Sequence, residues 1–238
     1  MLEAKNIKVG YAGRLQTQKT DLVFQSGMIY SVIGKNGCGK SGLLKCMAGL
    51  HRSKSGTVLL DGKDVFMMPS AELFSRIGYL PAERKISGLP VEYVVGGALP
   101  LNAYTWTRIS EAQRAGIYKT LSEWRLSGLS EIPLSKLSRG ECQRVYLAAL
   151  ARQDPDILIL DEPTLGLDPE SKNLFLNQLE KWKQAGKTVI YATQDLNLVL
   201  HHADEVVVVD AGREVTVGPA DKLRVVGALD TVFRVPLY

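Results

Sequence analysis

Cysteine and long apolar runs are both scarce in this chain of 238 residues. The three cysteines are odd in number and none forms a C-x-x-C pair, so the sequence encodes neither a disulfide framework nor a zinc site. No apolar run approaches the ~18 residues of a membrane-spanning helix, and no basic segment followed by an apolar one opens the chain. We therefore expect a protein of the reducing cytosol that neither crosses a bilayer nor enters a secretory route.

A concentrated positive charge is also missing. The 29 Lys and Arg residues exceed the 25 Asp and Glu residues only slightly, for a formal net charge of +4, and they are scattered rather than gathered into a stripe. No nucleic acid partner is therefore expected, whereas an anionic nucleotide or a membrane surface fits this mildly basic balance. With 45% hydrophobic and 23% charged residues, the composition is that of a globular protein with a sizeable core.

The order of apolar segments predicts an α/β fold. Alternation in residues 2–9 predicts an N-terminal strand, and the apolar run 28–33 predicts a strand that leads into a glycine-rich loop and a helix. Near-continuous apolar runs further along are typical of parallel strands covered on both faces: 157–160, 188–192 and 205–209. Residues 85–153 are mainly helical in pattern, so we expect a helical subdomain inserted between two parts of an α/β core, 1–84 and 154–238.

Capping residues mark three helix starts. Ser110 and Ser138 each stand three residues before a Gln or Glu, which is the pattern of a capping box. Asp168 precedes Pro169, a favoured first helical residue, and Gly186 follows the expected end of that helix.

A glycine-rich loop carries the strongest chemical signal. Residues 34–41, GKNGCGKS, match the pattern G-x-x-x-x-G-K-[ST] between an expected strand and helix. In such a loop, backbone N–H groups enclose a phosphate, the lysine reaches the β and γ oxygens, and the hydroxyl binds Mg²⁺. A chance glycine-rich turn is the alternative, and the strand and helix on either side disfavour it. We expect ATP with Mg²⁺ to bind here, through Gly34, Asn36, Gly37, Cys38, Gly39, Lys40, Ser41 and Gly42.

Two adjacent carboxylates follow the expected strand 157–160. Open α/β sheets bind their ligands at the C-terminal ends of strands, where Asp161 and Glu162 stand. Asp161 can hold Mg²⁺ through water, which leaves Glu162 to accept a proton from the attacking water. A solvated acidic turn is the alternative, and the nearby phosphate-binding loop makes it the weaker interpretation.

Two further motifs resemble one family. Residues 137–144, LSRGECQR, resemble the signature sequence of ATP-binding cassette (ABC) ATPases, and residues 165–168, LGLD, resemble that family's D-loop. The resemblance implies a P-loop NTPase (RecA-like) core with an N-terminal antiparallel β part and an inserted α-helical subdomain. It also implies a dimer enclosing two ATP, in which Ser138 and Gly140 of one subunit face the γ-phosphate held by the other and Asp168 lies at the shared site.

The family resemblance extends over almost the whole chain. It implies integral membrane permease subunits as partners and a cytoplasmic location, peripheral on the inner face of the cell membrane. Tyr11 stands where the family places a ring that stacks on adenine, although packing is an equal alternative for a lone Tyr. The layout of residues 91–101 and the tail 229–236 most resemble ATPases of importers for iron-siderophores, haem and cobalamin. Residues 93–106 are candidates for docking the permease, although packing in the core of the helical subdomain is at least an equal alternative for any one of them.

Several positions depart from the family pattern. Ala82 stands where the Q-loop glutamine is usual and Gln194 stands where the switch histidine is usual, while Gly42 replaces a threonine. We expect Gln194 to keep a hydrogen bond to the γ-phosphate without its charge, and hydrolysis to be slow, since losing one preorganised donor costs about 3 kcal/mol. Cys38 lies at a helix N-terminus near a lysine, so we expect a lowered pKa and a reactive thiol.

Three functional hypotheses remain at this point. The first is a transport ATPase, and the second is an ATP-binding regulatory or assembly module with little hydrolysis. The third, a DNA-repair or translation-factor ABC protein, is disfavoured because there is one cassette, no long heptad hairpin and no basic stripe.

Overall fold

The architecture is taken from a computed structural model that describes residues 1–8, 10–11, 14–15, 19–84, 88–97, 109–210 and 215–220. The strands are β1 (Leu2–Lys8), β2 (Gly10–Tyr11), β3 (Arg14–Leu15), β4 (Thr20–Phe24), β5 (Ile29–Ile33), β6 (Ser55–Leu60), β7 (Lys63–Asp64), β8 (Ile77–Leu80), β9 (Ile157–Asp161), β10 (Thr188–Ala192), β11 (Glu205–Val208) and β12 (Thr216–Pro219). The α-helices are α1 (Lys40–Met47), α2 (Ser70–Arg76), α3 (Val91–Val95), α4 (Glu111–Glu123), α5 (Arg139–Gln153), α6 (Pro169–Gln184) and α7 (Leu196–His202). Two short 3-10 helices, Ser127–Leu129 and Leu134–Lys136, precede α5.

An antiparallel sheet of order β4-β1-β6-β7 forms the N-terminal part. Its central strand β1 buries alternate residues, and Leu2 lies opposite Phe24 on one side and Leu60 on the other. These three side chains are essentially inaccessible and share one core cluster with Leu44 and Met47 of α1. Apolar burial of this kind contributes roughly 25 cal/mol per Å² and fixes the antiparallel sheet against α1.

The second sheet, of order β12-β11-β5-β10-β9-β8, is parallel except for β12. Strands β5, β9 and β10 are buried at every position, as expected for strands covered on both faces. Ala192 at the end of β10 pairs with Val32 of β5 and with Asp161 of β9. The segments that follow these three strands therefore meet at one edge of the sheet.

Helices α3 and α4 pack on α5 to form the helical insert. Ile117 and Leu121 of α4 and Val95 of α3 are buried in the same cluster as Leu147 of α5 and Leu158 of β9, which ties the insert to the parallel sheet. The predicted fold class is confirmed. The division into residues 1–84, 85–153 and 154–238 stays a prediction. Among the described residues, no helix combines the length and the apolar character needed to cross a membrane.

Candidate functional site

The glycine-rich loop joins the end of β5 to the start of α1. Gly34, Gly37 and Gly39 have φ angles of 154°, 77° and 113°, a region that glycine adopts without steric cost. A Cβ on Gly34 would lie 2.2 Å from the carbonyl oxygen of Val209, whereas a Cβ on Gly37 would meet nothing within 4 Å. One side of the loop therefore lies tightly against the sheet, while Asn36 and Gly37 on the other are exposed.

Lys40 holds the loop together from inside. Its Nζ donates hydrogen bonds to the carbonyl oxygens of Gly34, at 2.7 Å, and of Lys35, at 3.1 Å, and the side chain is only 7% exposed. Lys40 is therefore buried, although residues 35–37 of the same loop are exposed. A phosphate entering this loop would meet a largely desolvated cation, where electrostatic attraction is strong because water screens it poorly.

Asp161 and Ser41 meet beside the loop. Asp161 is 3% exposed at the end of β9, where its carboxylate lies near the Ser41 hydroxyl. Burial raises the pKa of Asp161, although the interaction with Ser41 and the nearby Lys40 charge oppose the rise. Within the described part of the chain, Asp161 forms no ion pair. A buried carboxylate beside a hydroxyl suits a hard divalent cation such as Mg²⁺.

No group of three or more His, Cys, Asp or Glu side chains that could bind a metal occurs among the described residues. In phosphate-transferring sites, Mg²⁺ is commonly held by one or two protein groups together with phosphate and water oxygens.

Glu162 begins a tight turn after β9. Its φ is 50°, an uncommon value for a residue with a side chain, and its backbone N–H donates to the carbonyl oxygen of Ala192 at 3.0 Å. Burial raises the pKa of Glu162, while a hydrogen bond from Gln194 Nε2, 3.3 Å from its Oε1, acts in the opposite direction. Strain of this kind is commonly stored at functional sites. The turn brings Glu162 and Gln194 together at the sheet edge that carries the loop.

The signature segment opens helix α5. The exposed Ser138 accepts a hydrogen bond from the Glu141 backbone N–H, and the Glu141 carboxylate accepts one from the Ser138 backbone N–H at 2.8 Å, so the predicted capping box is confirmed. A Cβ on Gly140 would lie 2.8 Å from the carbonyl oxygen of Gly166, and the Arg139 side chain runs close to Gly166. The start of α5 is therefore in contact with the D-loop of the same chain.

Asp168 caps helix α6, as its position before Pro169 predicts. Its carboxylate accepts hydrogen bonds from the backbone N–H and the hydroxyl of Ser171, both at 2.8 Å, and these bonds lower the pKa of Asp168. Leu165 earlier in the D-loop is 44% exposed. This segment combines a capped helix start with an exposed apolar side chain.

Comparison with known proteins identifies the family. The family model described as ABC transporter matches residues 17–165, which is well over half of the chain. The chain belongs to the ABC transporter family. It is an ATP-binding and ATP-hydrolysing cassette of that family.

Curated relatives match over nearly the whole ABC cassette. The petrobactin import ATP-binding protein YclP of Bacillus subtilis is 30% identical over 98% of this chain and 92% of its own length. The iron(3+)-hydroxamate import ATP-binding protein FhuC of the same organism is 30% identical over 98% of this chain and 88% of its own. A solved structure described as the ATP binding subunit of an ABC transporter superposes with a TM-score of 0.83 at 27% identity, covering 98% of both chains.

The loop after β8 contains Ala82, at the position where the family resemblance implies a glutamine. Ala82 is partly buried and offers no polar group, and Glu83 points to solvent. Arg84 turns inward instead. Its Nε donates to the Pro81 carbonyl oxygen at 2.8 Å and its Nη1 donates to Gln143 Oε1 on α5. Sequence reasoning missed Arg84, because no local pattern indicates a contact between residues 59 positions apart.

The expectation of a reactive Cys38 is wrong. Its side chain is 2% exposed, and this burial raises the pKa of the thiol more than the neighbouring Lys40 lowers it. Cys38 lies against Gly34, where its Sγ would be 2.7 Å from an added Cβ, so it fills space beneath the loop.

Several predicted features are not described by the structure. Three of them lie outside the described residues: the side chain of Tyr11, residues 98–106 of the candidate docking segment and the tail 229–236. Adenine stacking by Tyr11 stays a prediction.

Proposed function

We propose that this ABC ATPase closes as a dimer around two ATP and thereby drives import through separate integral membrane subunits. The observation that carries the proposal is the convergence of Lys40, Ser41, Asp161, Glu162 and Gln194 at one edge of the parallel sheet. The relatives named as import ATP-binding proteins for petrobactin and iron(3+)-hydroxamate favour an iron-siderophore, and haem and cobalamin are the related alternatives.

In this proposal each loop residue has a defined task. The phosphates are bound by the backbone N–H groups of Asn36, Gly37 and Gly39. Gly34 and Cys38 shape the turn, and Gly42 continues the helix start without a hydroxyl. Lys40 leaves the carbonyl oxygens that it contacts and neutralises the β and γ oxygens. Ser41 and Asp161 hold Mg²⁺, which when bound neutralises the phosphate charge.

Glu162 is proposed as the general base. Because burial raises its pKa above that of an ordinary glutamate, it binds a proton more readily than an exposed carboxylate does. Gln194 orients this carboxylate through the observed hydrogen bond, and its amide can also donate to a γ-phosphate oxygen. An ordered base and its orienting partner favour turnover over the alternative of a module with little hydrolysis.

The exposed signature segment supports the proposed dimer. Ser138 is exposed and caps its own helix, and Gly140 lies at that helix start beside the D-loop and Asp168. Backbone N–H groups at a helix start favour an anion. Facing a second subunit, this segment would cover the γ-phosphate held by the partner's loop.

Light scattering of Glu162→Gln with ATP and Mg²⁺ tests this dimer. The amide keeps the shape of the side chain and cannot accept a proton, so we expect ATP to remain intact and the dimer to accumulate. Wild type should return to monomer as ATP is consumed. A monomeric Glu162→Gln protein at saturating ATP would refute the dimer.

The transport role needs a separate experiment. We expect the purified chain to bind a reconstituted permease of the iron-siderophore type and to support ATP-dependent uptake in vesicles, whereas Lys40→Met should support none. Full uptake with Lys40→Met, or no binding to any permease of this class, would contradict the role.

A further inference from the structure

The guanidinium of Arg84 links three segments around the catalytic edge. It donates to the Pro81 carbonyl oxygen after β8 and to Gln143 on α5. Gln143 is only 5% exposed and its Nε2 donates to the carbonyl oxygen of Pro163, the residue that follows Glu162. A continuous chain of hydrogen bonds therefore runs from the loop after β8, through the helical insert, to the strained turn that carries the base.

The surroundings of Arg84 show that this position is costly to maintain. The guanidinium lies 5.0 Å from the centre of the Tyr146 ring on α5, and burial lowers the pKa of Arg84 to about 10. Its Nη2 is buried and has no hydrogen-bond partner among the described residues. An unsatisfied buried donor on a charged group costs free energy, so a purely structural role would be met more cheaply by an apolar side chain.

Arg84 also stands two residues after the position where this chain lacks a glutamine. Ala82 has no polar side-chain atom, so its side chain makes no hydrogen bond to the catalytic turn. Among the described residues of this loop, Glu83 is exposed and only Arg84 reaches α5.

We propose that Arg84 is a positioning residue that, through Gln143 and the Pro163 carbonyl, sets the orientation of Glu162 according to the position of the helical insert. A movement of α5 relative to the parallel sheet would pull on Pro163 through the hydrogen bond from Gln143, whose side chain is held by Arg84, and would turn the neighbouring carboxylate. The inference rests on the proposed role of Glu162 as base. It adds a physical route by which a partner bound to the insert changes hydrolysis.

The test compares Arg84→Met with wild type. Methionine keeps an apolar stem over Tyr146 and removes the donors and the charge. We expect kcat to fall by about 10- to 100-fold, the effect of a small misplacement of a catalytic group, while ATP affinity stays within about twofold. Amides of residues 162 and 164–167 should exchange with deuterium faster, and amides of the central strand β5 should not.

Three further variants sharpen the comparison. Gln143→Leu should reproduce the loss, and the Arg84→Met/Gln143→Leu double variant should be little worse than either alone, because both break one chain. Arg84→Lys keeps the charge without the fork geometry and should recover only part of kcat. Arg52→Met is the matched control, since Arg52 also lies over an aromatic ring, 4.8 Å from the centre of Phe66, but is exposed and outside the network.

The results that support a positioning role for Arg84 differ from the results that overturn it. Unchanged kcat and unchanged exchange at residues 162 and 164–167 in Arg84→Met would overturn the proposal, as would fully additive losses in the double variant. If Arg84→Met does not fold, Arg84→Lys and Gln143→Leu decide the matter by the same two measurements. The exchange measurement needs neither a dimer nor a permease, so failure of the transport role would leave this result interpretable.

Discussion

The tight side of the phosphate-binding loop gives a sharp test of the structure. Gly34→Ala would place a Cβ 2.2 Å from the carbonyl oxygen of Val209 and 2.7 Å from Cys38 Sγ, with φ at 154°. The sulfur can shift, but the carbonyl belongs to a backbone that is itself held, because the Val209 N–H donates to the Ile33 carbonyl oxygen at 2.8 Å. The loop and the end of β11 would have to separate.

The size of the effect can be estimated from its parts. A residue with a side chain in this glycine-only backbone region costs about 1–3 kcal/mol. Weakening the hydrogen bond at Val209 adds about 1 kcal/mol. A domain of this size loses roughly 2–4 °C of Tm per kcal/mol, so Gly34→Ala should lower the Tm of the nucleotide-free protein by about 5–15 °C. ATP affinity should fall as well, since the loop is displaced.

Gly37→Ala is the matched control in the same loop. Its φ of 77° is also unfavourable for alanine, at about 1 kcal/mol, but its Cβ would lie in open space. Thermal unfolding followed by circular dichroism should show a loss of only about 2–4 °C. Equal Tm values for the two variants would refute the close contact between Gly34 and Val209.

Three further predictions concern side chains at the site. Burial raises the folded-state pKa of Asp161, so its ionised form opposes folding, and Asp161→Asn should raise the Tm of the nucleotide-free protein at pH 7.5. This gain in Tm should disappear below about pH 4, where the carboxyl group is protonated in both states, and a lower Tm at pH 7.5 would contradict the prediction. Burial raises the pKa of Cys38, so alkylation of this thiol at pH 7.5 should be slower than that of a free thiol and slower still with ATP bound. Alkylation at the free-thiol rate would show that Cys38 is accessible to solvent. The double replacement Ala82→Gln/Gln194→His should raise kcat with little change in KM, and the gains of the two single replacements should not simply add. A brisk wild-type rate that the double replacement leaves unchanged would show that other groups already stabilise the transition state.

Sequence patterns predicted the helix starts and strands whose formation depends on residues close together in the chain. The apolar run predicted β10 at its observed bounds, and the caps at Ser110, Ser138 and Asp168 are formed as predicted, because each depends on residues within three positions. Strand β4, helices α2 and α7 and the antiparallel edge strand β12 were not predicted. They are short, and their apolar patterns are too brief to distinguish a strand from a loop.

In the candidate site, too, only the features that depend on neighbouring residues could be predicted from the sequence. The loop and the two carboxylates could be located from motifs, because a phosphate-binding turn requires glycines and a lysine at fixed spacing. The buried state of Lys40 and the high pKa of Cys38 depend on what packs around them. The network from Arg84 to Pro163 joins three segments that are distant in the chain, so only the folded structure reveals it.

The central claim is that Glu162, at the edge of the parallel sheet beside the phosphate-binding loop, is the general base for ATP hydrolysis. Phosphate release under single-turnover conditions tests this claim most directly, with ATP affinity measured by calorimetry on the same protein. In Glu162→Gln we expect ATP to bind about as tightly as in wild type, because the side chain keeps its size and its contact with Gln194, and phosphate release to fall by at least about a hundredfold. Release at the wild-type rate from Glu162→Gln would show that another group accepts the proton and would contradict the account.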